Sequence, residues 1–147
     1  MEKIVVGVDG SDGAAAALQW AFEQARRTGA ELEIVLAFSF ELAWIDVGSD
    51  YQARWIEDAT LRARDELQQI VAATVPEPDG VTLHRLVVEG VPAEVLVEVA
   101  TGADLLVVGT RGRGGFAGLL LGSASQRCVE RAPCPVVVVP DPQRRLG

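Results

Sequence analysis

Lysine is almost missing from this chain of 147 residues, with Lys3 as the only one. The phosphate loop G-x4-G-K-[ST] needs a lysine behind its second glycine, so a P-loop NTPase is excluded at once. Histidine is as scarce. His84 stands alone, so neither a histidine-based catalytic triad nor a histidine-rich metal site has a second member. Cys128 and Cys134 have no histidine or further cysteine nearby to complete a zinc site, and they read as packing residues. No apolar run reaches the roughly 18 residues of a membrane-spanning helix, and Met1-Glu2-Lys3 leads into a strand pattern without a signal peptide's apolar region. A cytoplasmic protein is the expectation. Cations are outnumbered too: the net charge is −8 and the sequence pI about 4.6, which opposes binding to nucleic acid or to an anionic membrane.

Apolar residues, by contrast, are plentiful. At 49% of the chain they suffice for one domain, 1–147, with a sizeable core. Ile4-Val5-Val6-Gly7-Val8 is a short continuous apolar run, as expected of a parallel strand buried on both faces, and it ends at Asp9-Gly10-Ser11. Ser11 or Asp12 can cap the helix that follows, in which Ala14, Ala17, Leu18, Ala21, Phe22 and Ala25 repeat with helical spacing up to Thr28-Gly29. Leu32 to Phe38 reads as a second strand. Ser39 to Asp50 has no clear period but carries Phe40, Leu42, Trp44 and Ile45, too apolar for a plain solvated loop. A long helix comes next, with Ile56, Ala59, Ala63, Leu67, Ile70, Val71 and Thr74 on its inner face and Pro76 and Pro78 as its stop. Val81 to Glu89 supplies a third strand, Pro92 to Gly102 a helix, and Asp104 to Gly109 a fourth strand. Ser125, Cys128, Val129 and Ala132 mark the core side of the last helix, and Val136 to Val139 forms the fifth strand. Alternation of this kind gives an α/β doubly wound fold: a parallel sheet with helices on both faces and right-handed crossovers.

The richest stretch runs from Gly109 through Thr110, Arg111, Gly112 and Arg113 to Gly122, Ser123 and Ala124. It turns a buried strand into a glycine-rich loop and then a helix, and glycines allow positive φ and close backbone approach to a ligand while the helix N–H groups point at an anion. Leu105 to Val129 contains no acidic residue but does hold Arg111, Arg113 and Arg127. An anion is the natural guest. Gly112-x-Gly114-x-x-Ala117 matches the loose dinucleotide fingerprint, yet that fingerprint should open a helix directly after its strand, and here residues already separate Gly109 from Gly112. What remains is G-x2-G-x9-G-S at Gly109, Gly112, Gly122 and Ser123.

This spacing and its place in the chain resemble the ATP-binding branch of the universal stress protein family. The resemblance covers Ile4 to Pro140 and implies a five-stranded sheet of order 3-2-1-4-5. It implies further that adenine rests near Asp9, with Gly10 and Ser11 beside it, and near the backbone of Phe38, with Val88 and Val108 close by. Ribose would lie near Gly109, and Gly112, Gly122 and Ser123 would hold the triphosphate with a bridging Mg2+. The implied role is an ATP-dependent regulator or sensor in stress response, the alternatives being a nucleotide-free dimeric chaperone-like module or a slow ATPase. No catalytic residue is assigned. The loop offers only the hydroxyls of Thr110, Ser123 and Ser125, and Asp9 is the one plausible carboxylate. Val136 to Val139, an apolar strand at the expected sheet edge between Pro135 and Pro140, suits pairing with a second copy into a homodimer. The downstream protein partner is not legible.

Overall fold

The structure, a computed structural model, describes residues 1–39, 49–110 and 122–142. Five strands, β1 (Lys3–Val8), β2 (Glu31–Phe38), β3 (Leu83–Glu89), β4 (Leu105–Gly109) and β5 (Val136–Val139), alternate with α1 (Asp12–Thr28), α2 (Ser49–Thr74), α3 (Pro92–Val99) and α4 (Ser123–Arg131). The sheet order is β3-β2-β1-β4-β5 and every pairing is parallel. The expected order of 3-2-1-4-5 is what the chain adopts. β3 begins at Leu83 rather than Val81.

Each strand's two faces feed different cores. Ile4, Val6 and Val8 of β1, with Leu105 and Val107 of β4, pack against Ala14, Ala17, Leu18 and Ala21 of α1 and Leu67 and Val71 of α2. Val5, Leu106 and Val108 point the other way, to Val95 and Leu96 of α3 and Cys128 of α4. Continuous apolar runs are therefore required, since a polar residue on either face would be buried. α1 starts at Ser11, whose hydroxyl accepts from the Ala14 N–H at 3.2 Å, and stops at Gly29, in the left-handed region at φ 76° that glycine reaches without strain.

Two side chains read as inward face out. Ile56 of α2 is 48% exposed, whereas Ala63, Leu67 and Val71 further along the same helix are buried in the core. Val129 of α4 is 50% exposed; the buried stripe runs through Ser125 and Cys128, and the residue after Cys128 lies about 100° round the helix. Both cysteines are free thiols, Cys128 buried and Cys134 half-buried. Burial pushes the Cys128 thiol up to about 11, so it stays neutral and behaves as a core residue.

Candidate functional site

In a doubly wound sheet the crevice lies beyond the carboxyl ends of the two strands from which successive connections leave in opposite directions. Here those strands are β1 and β4, paired through Ile4–Leu105, Val5–Leu106 and Val6–Val107. Adjacency brings Asp9-Gly10-Ser11 beside Gly109-Thr110, stretches that lie about a hundred residues apart in the chain. Arg111, Gly112 and Arg113 fall outside the described residues, as does the apolar segment from Phe40 to Ile45.

On the β1 side the geometry is closed locally. Gly10 takes φ 85°, and the tight turn lets Asp9 Oδ1 accept from the Ser11 N–H at 2.9 Å and the Ser11 hydroxyl at 2.5 Å. Ser11 in turn caps α1. The N-terminus of that helix thus has its own acceptor in place.

The β4 side differs. Gly109 is forced by packing as much as by any ligand, because a Cβ there would sit 2.9 Å from the Gly13 carbonyl oxygen and 3.0 Å from its carbon, both backbone of the first turn of α1. Ser125, buried on α4, donates to the Gly109 carbonyl at 2.5 Å and ties the start of α4 to the end of β4. The Gly122 N–H donates to the Thr110 carbonyl at 2.6 Å, and the Thr110 N–H donates to Val139 at 3.1 Å. Backbone groups of Thr110 are therefore satisfied. Its hydroxyl is not: Thr110 is 8% exposed, and Oγ1 is the one buried side-chain oxygen or nitrogen among the described residues without a hydrogen-bond partner. Gly122, the N-cap of α4, brings no side-chain cap, so the first-turn N–H groups at Ser123 and Ala124 open onto the same end of the sheet. Gly122 has φ −71°, an ordinary extended value, which removes left-handed backbone as the reason for glycine here.

The remaining positions split between the faces. Val88 packs with Val108 and Ala37 on the α3–α4 side, whereas the Phe38 ring packs on the α1–α2 side, so only the Phe38 backbone can share a site with the two valines. Its carbonyl accepts from the Gly90 N–H at 2.8 Å. His84 lies away from this crevice, 3.3 Å from Glu31 on the exposed sheet surface. No cluster of three or more metal-ligating side chains occurs among the described residues. No helix among them is long and apolar enough to cross a membrane.

Residues 1–140 match the model of the universal stress protein family. A universal stress protein of Mycolicibacterium smegmatis is 38% identical over 138 residues, which cover 92% of this chain and 45% of that protein, so the chain spans about half the length of this relative. One from Thermus aquaticus is 37% identical over 139 residues, covering 92% of this chain and 96% of its own. Among solved structures, a universal stress protein in complex with cAMP is 29% identical, with a TM-score of 0.60 over 94% of this chain and 95% of that one.

Proposed function

The chain belongs to the universal stress protein family, and from that premise we propose that it binds ATP in the crevice between β1 and β4 and acts as a nucleotide-dependent regulator or sensor in stress response. The observation that carries this reading is the orphaned hydroxyl of Thr110 beside the uncapped start of α4. A buried hydroxyl without a partner costs about 1–3 kcal/mol, and a folded chain retains such a group where a ligand completes it. Phosphate oxygens suit both donors, the hydroxyl and the helix N–H groups, and the partial positive charge of the helix terminus favours an anion. The nucleotide complex of the similar structure supports an adenine nucleotide as the occupant.

In this arrangement Ser123 and Ala124 present N–H groups to the phosphates and Gly122 lets them approach closely, with Thr110 donating its hydroxyl and Gly112, Arg111 and Arg113 contributing from the loop. Asp9, Gly10 and Ser11 line the β1 side, where the ribose and base would lie against Gly109, Val108, Val88 and the Phe38 backbone. Mg2+, when bound, neutralises phosphate charge. Gly109, Thr110 and the first turn of α4 carry no carboxylate or imidazole that could activate water, which favours a bound state that persists over rapid turnover. Calorimetric titration of the purified chain with MgATP tests the reading. Binding by the wild type that is lost in Gly112→Val, with the far-UV spectrum unchanged, is the expected result; equal affinity in the two proteins overturns it.

The same reading includes a homodimer through β5. Leu106 N–H donates to Pro135 and Thr110 N–H to Val139, so alternate residues of β5 face β4 and the backbone groups of Val136 and Val138 point to the open edge. Val138→Pro removes an outward N–H while sparing the ladder to β4. Light scattering should give a dimer mass for the wild type and a lower one for the variant; a monomeric wild type refutes the dimer.

A further inference from the structure

On the outer side of α3 and α4, remote from the α1–α2 face, the two helices leave a groove of about 300 Å3. Glu94 and Glu98 stand on the α3 wall and Arg127 and Arg131 on the α4 wall, with Val97 and Pro133 between them. Each pair is spaced i, i+4, so like charges stack on each helix, an arrangement that is unfavourable within a helix taken alone. All four side chains are exposed, and none is in an ion pair or hydrogen bond within the chain among the described residues. Glu98 sits in the last turn of α3, against the helix dipole, and Arg127 has no acidic neighbour across the groove at bonding distance. Helix stability does not explain Glu98.

We propose that this groove docks the same groove of a second copy of the chain, about a two-fold axis running along it. The argument is one of charge and symmetry. α3 and α4 follow parallel strands by the same crossover sense, so they run side by side in the same direction. Rotation by half a turn about an axis lying in the groove exchanges the two walls and preserves height along the helices. The acidic wall of each copy then meets the basic wall of the other at the same level, and every pair is formed twice, as an isologous contact requires. Val97 and Pro133 of the two copies close over each other and exclude water from the pairs. A rotation about any axis across the groove would instead set acid on acid. Complementarity of this type fixes register and speeds encounter more than it deepens affinity, so the contact is weak and sensitive to salt. It uses side chains of α3 and α4 rather than the outward backbone groups of β5, and stands whether or not nucleotide binds.

Sedimentation velocity over a concentration series, in the Val138→Pro background so that edge pairing is removed, tests the docking. Circular dichroism verifies the fold of every variant, and if Val138→Pro does not fold, the wild-type chain serves with the read-out moved one association step up. The parent should self-associate at low salt and dissociate at high salt. Glu94→Arg with Glu98→Arg, and separately Arg127→Glu with Arg131→Glu, should each lose self-association by more than about tenfold, since like walls now face each other. An equimolar mixture of the two should associate to within about tenfold of the parent, because each supplies the wall the other lacks. Glu94→Gln with Glu98→Gln should weaken the parent contact without reversing its charge. A parent that stays monomeric at every concentration overturns the proposal, including one that engages only some other protein, and so does a reversed variant that associates like the parent or a mixture of folded variants that does not associate.

Discussion

Thr110→Val separates the ligand-free protein from the nucleotide complex by the sign of its effect. Threonine and valine have nearly the same shape, so the change exchanges one buried hydroxyl for a methyl. In the free chain that hydroxyl is 8% exposed and unpartnered. Removing it should relieve a desolvation cost of about 1–3 kcal/mol and add a little apolar contact. For a chain of this length a gain of 1 kcal/mol raises the melting temperature by roughly 2–4 °C. With nucleotide bound the balance reverses, because the wild-type hydroxyl then donates to a phosphate oxygen, and a hydrogen bond to a charged acceptor contributes about 1.5–3 kcal/mol. Thr110→Val should therefore melt higher than wild type without ligand and gain less from saturating MgATP, with an affinity about ten- to a hundredfold weaker. Thr110→Ser, which keeps the hydroxyl, should retain most of the affinity. Differential scanning fluorimetry with and without MgATP, backed by calorimetric titration, reads both signs. A free Thr110→Val protein destabilised by more than about 1 kcal/mol would show that the hydroxyl is already satisfied. An unchanged affinity would show that it does not face the phosphates.

Gly109→Ala should destabilise the free chain by about 1–3 kcal/mol, since its Cβ would meet Gly13 backbone that has no rotamer to escape into; a urea midpoint equal to wild type would mean that β4 and α1 separate freely. Asp104 Oδ2 accepts the N–H groups of Glu2 at 2.7 Å and Lys3 at 2.9 Å, and these bonds hold its carboxyl below the usual carboxylate value. A depressed folded-state pKa contributes stability above the unfolded value of about 3.9 and loses it as pH falls through the folded value. Wild type should thus lose more stability than Asp104→Asn between neutral pH and acid, and parallel urea midpoints across that range would refute the link. Cys128, held neutral by burial, should resist a thiol reagent at pH 8 until the chain unfolds; labelling of Cys128 in the native state would contradict its core placement.

The fold was legible because its strands are buried twice over. Ile4-Val5-Val6 and Leu105 to Val108 have to be apolar on both faces, and that necessity is visible as unbroken runs. Periodicity reveals less about extent. The stripe through Ala63, Leu67 and Val71 continues back to Ile56 with the same spacing, but spacing states only which residues share a helix face, and burial along that face begins only at Ala63. Val129 departs for a simpler reason: an apolar side chain next to a buried cysteine looks like part of its stripe, yet lies about 100° round the helix from it. Glycine spacing points to ligand contacts, and at Gly109 the tertiary packing supplies a second cause, the approach of α1, that no local pattern could contain. The lone hydroxyl of Thr110 and the unmatched walls of α3 and α4 depend on what is absent nearby, which a sequence does not record.

The two helix N-termini that meet at the crevice are not equivalent, and the difference orients the proposed ligand. Ser11 already supplies an acceptor to α1, and Asp9, engaged through Oδ1 by Ser11, sets a carboxylate beside it. Phosphate placed there would face a capped helix and a like charge. At α4 the N-cap is Gly122, which has no side chain to compete, and the neighbouring Thr110 and Ser123 bring hydroxyls without charge. In the proposed complex, electrostatics would therefore direct the anionic end of the nucleotide to β4 and α4 and leave the β1 side to its neutral part, where a carboxylate can accept from sugar hydroxyls. The polarity follows from caps and charges and agrees with the arrangement that the family resemblance implies. Ser125 reinforces it: by spending its hydroxyl on the Gly109 carbonyl, it fixes the start of α4 against β4 and holds the open N–H groups in place before any ligand arrives.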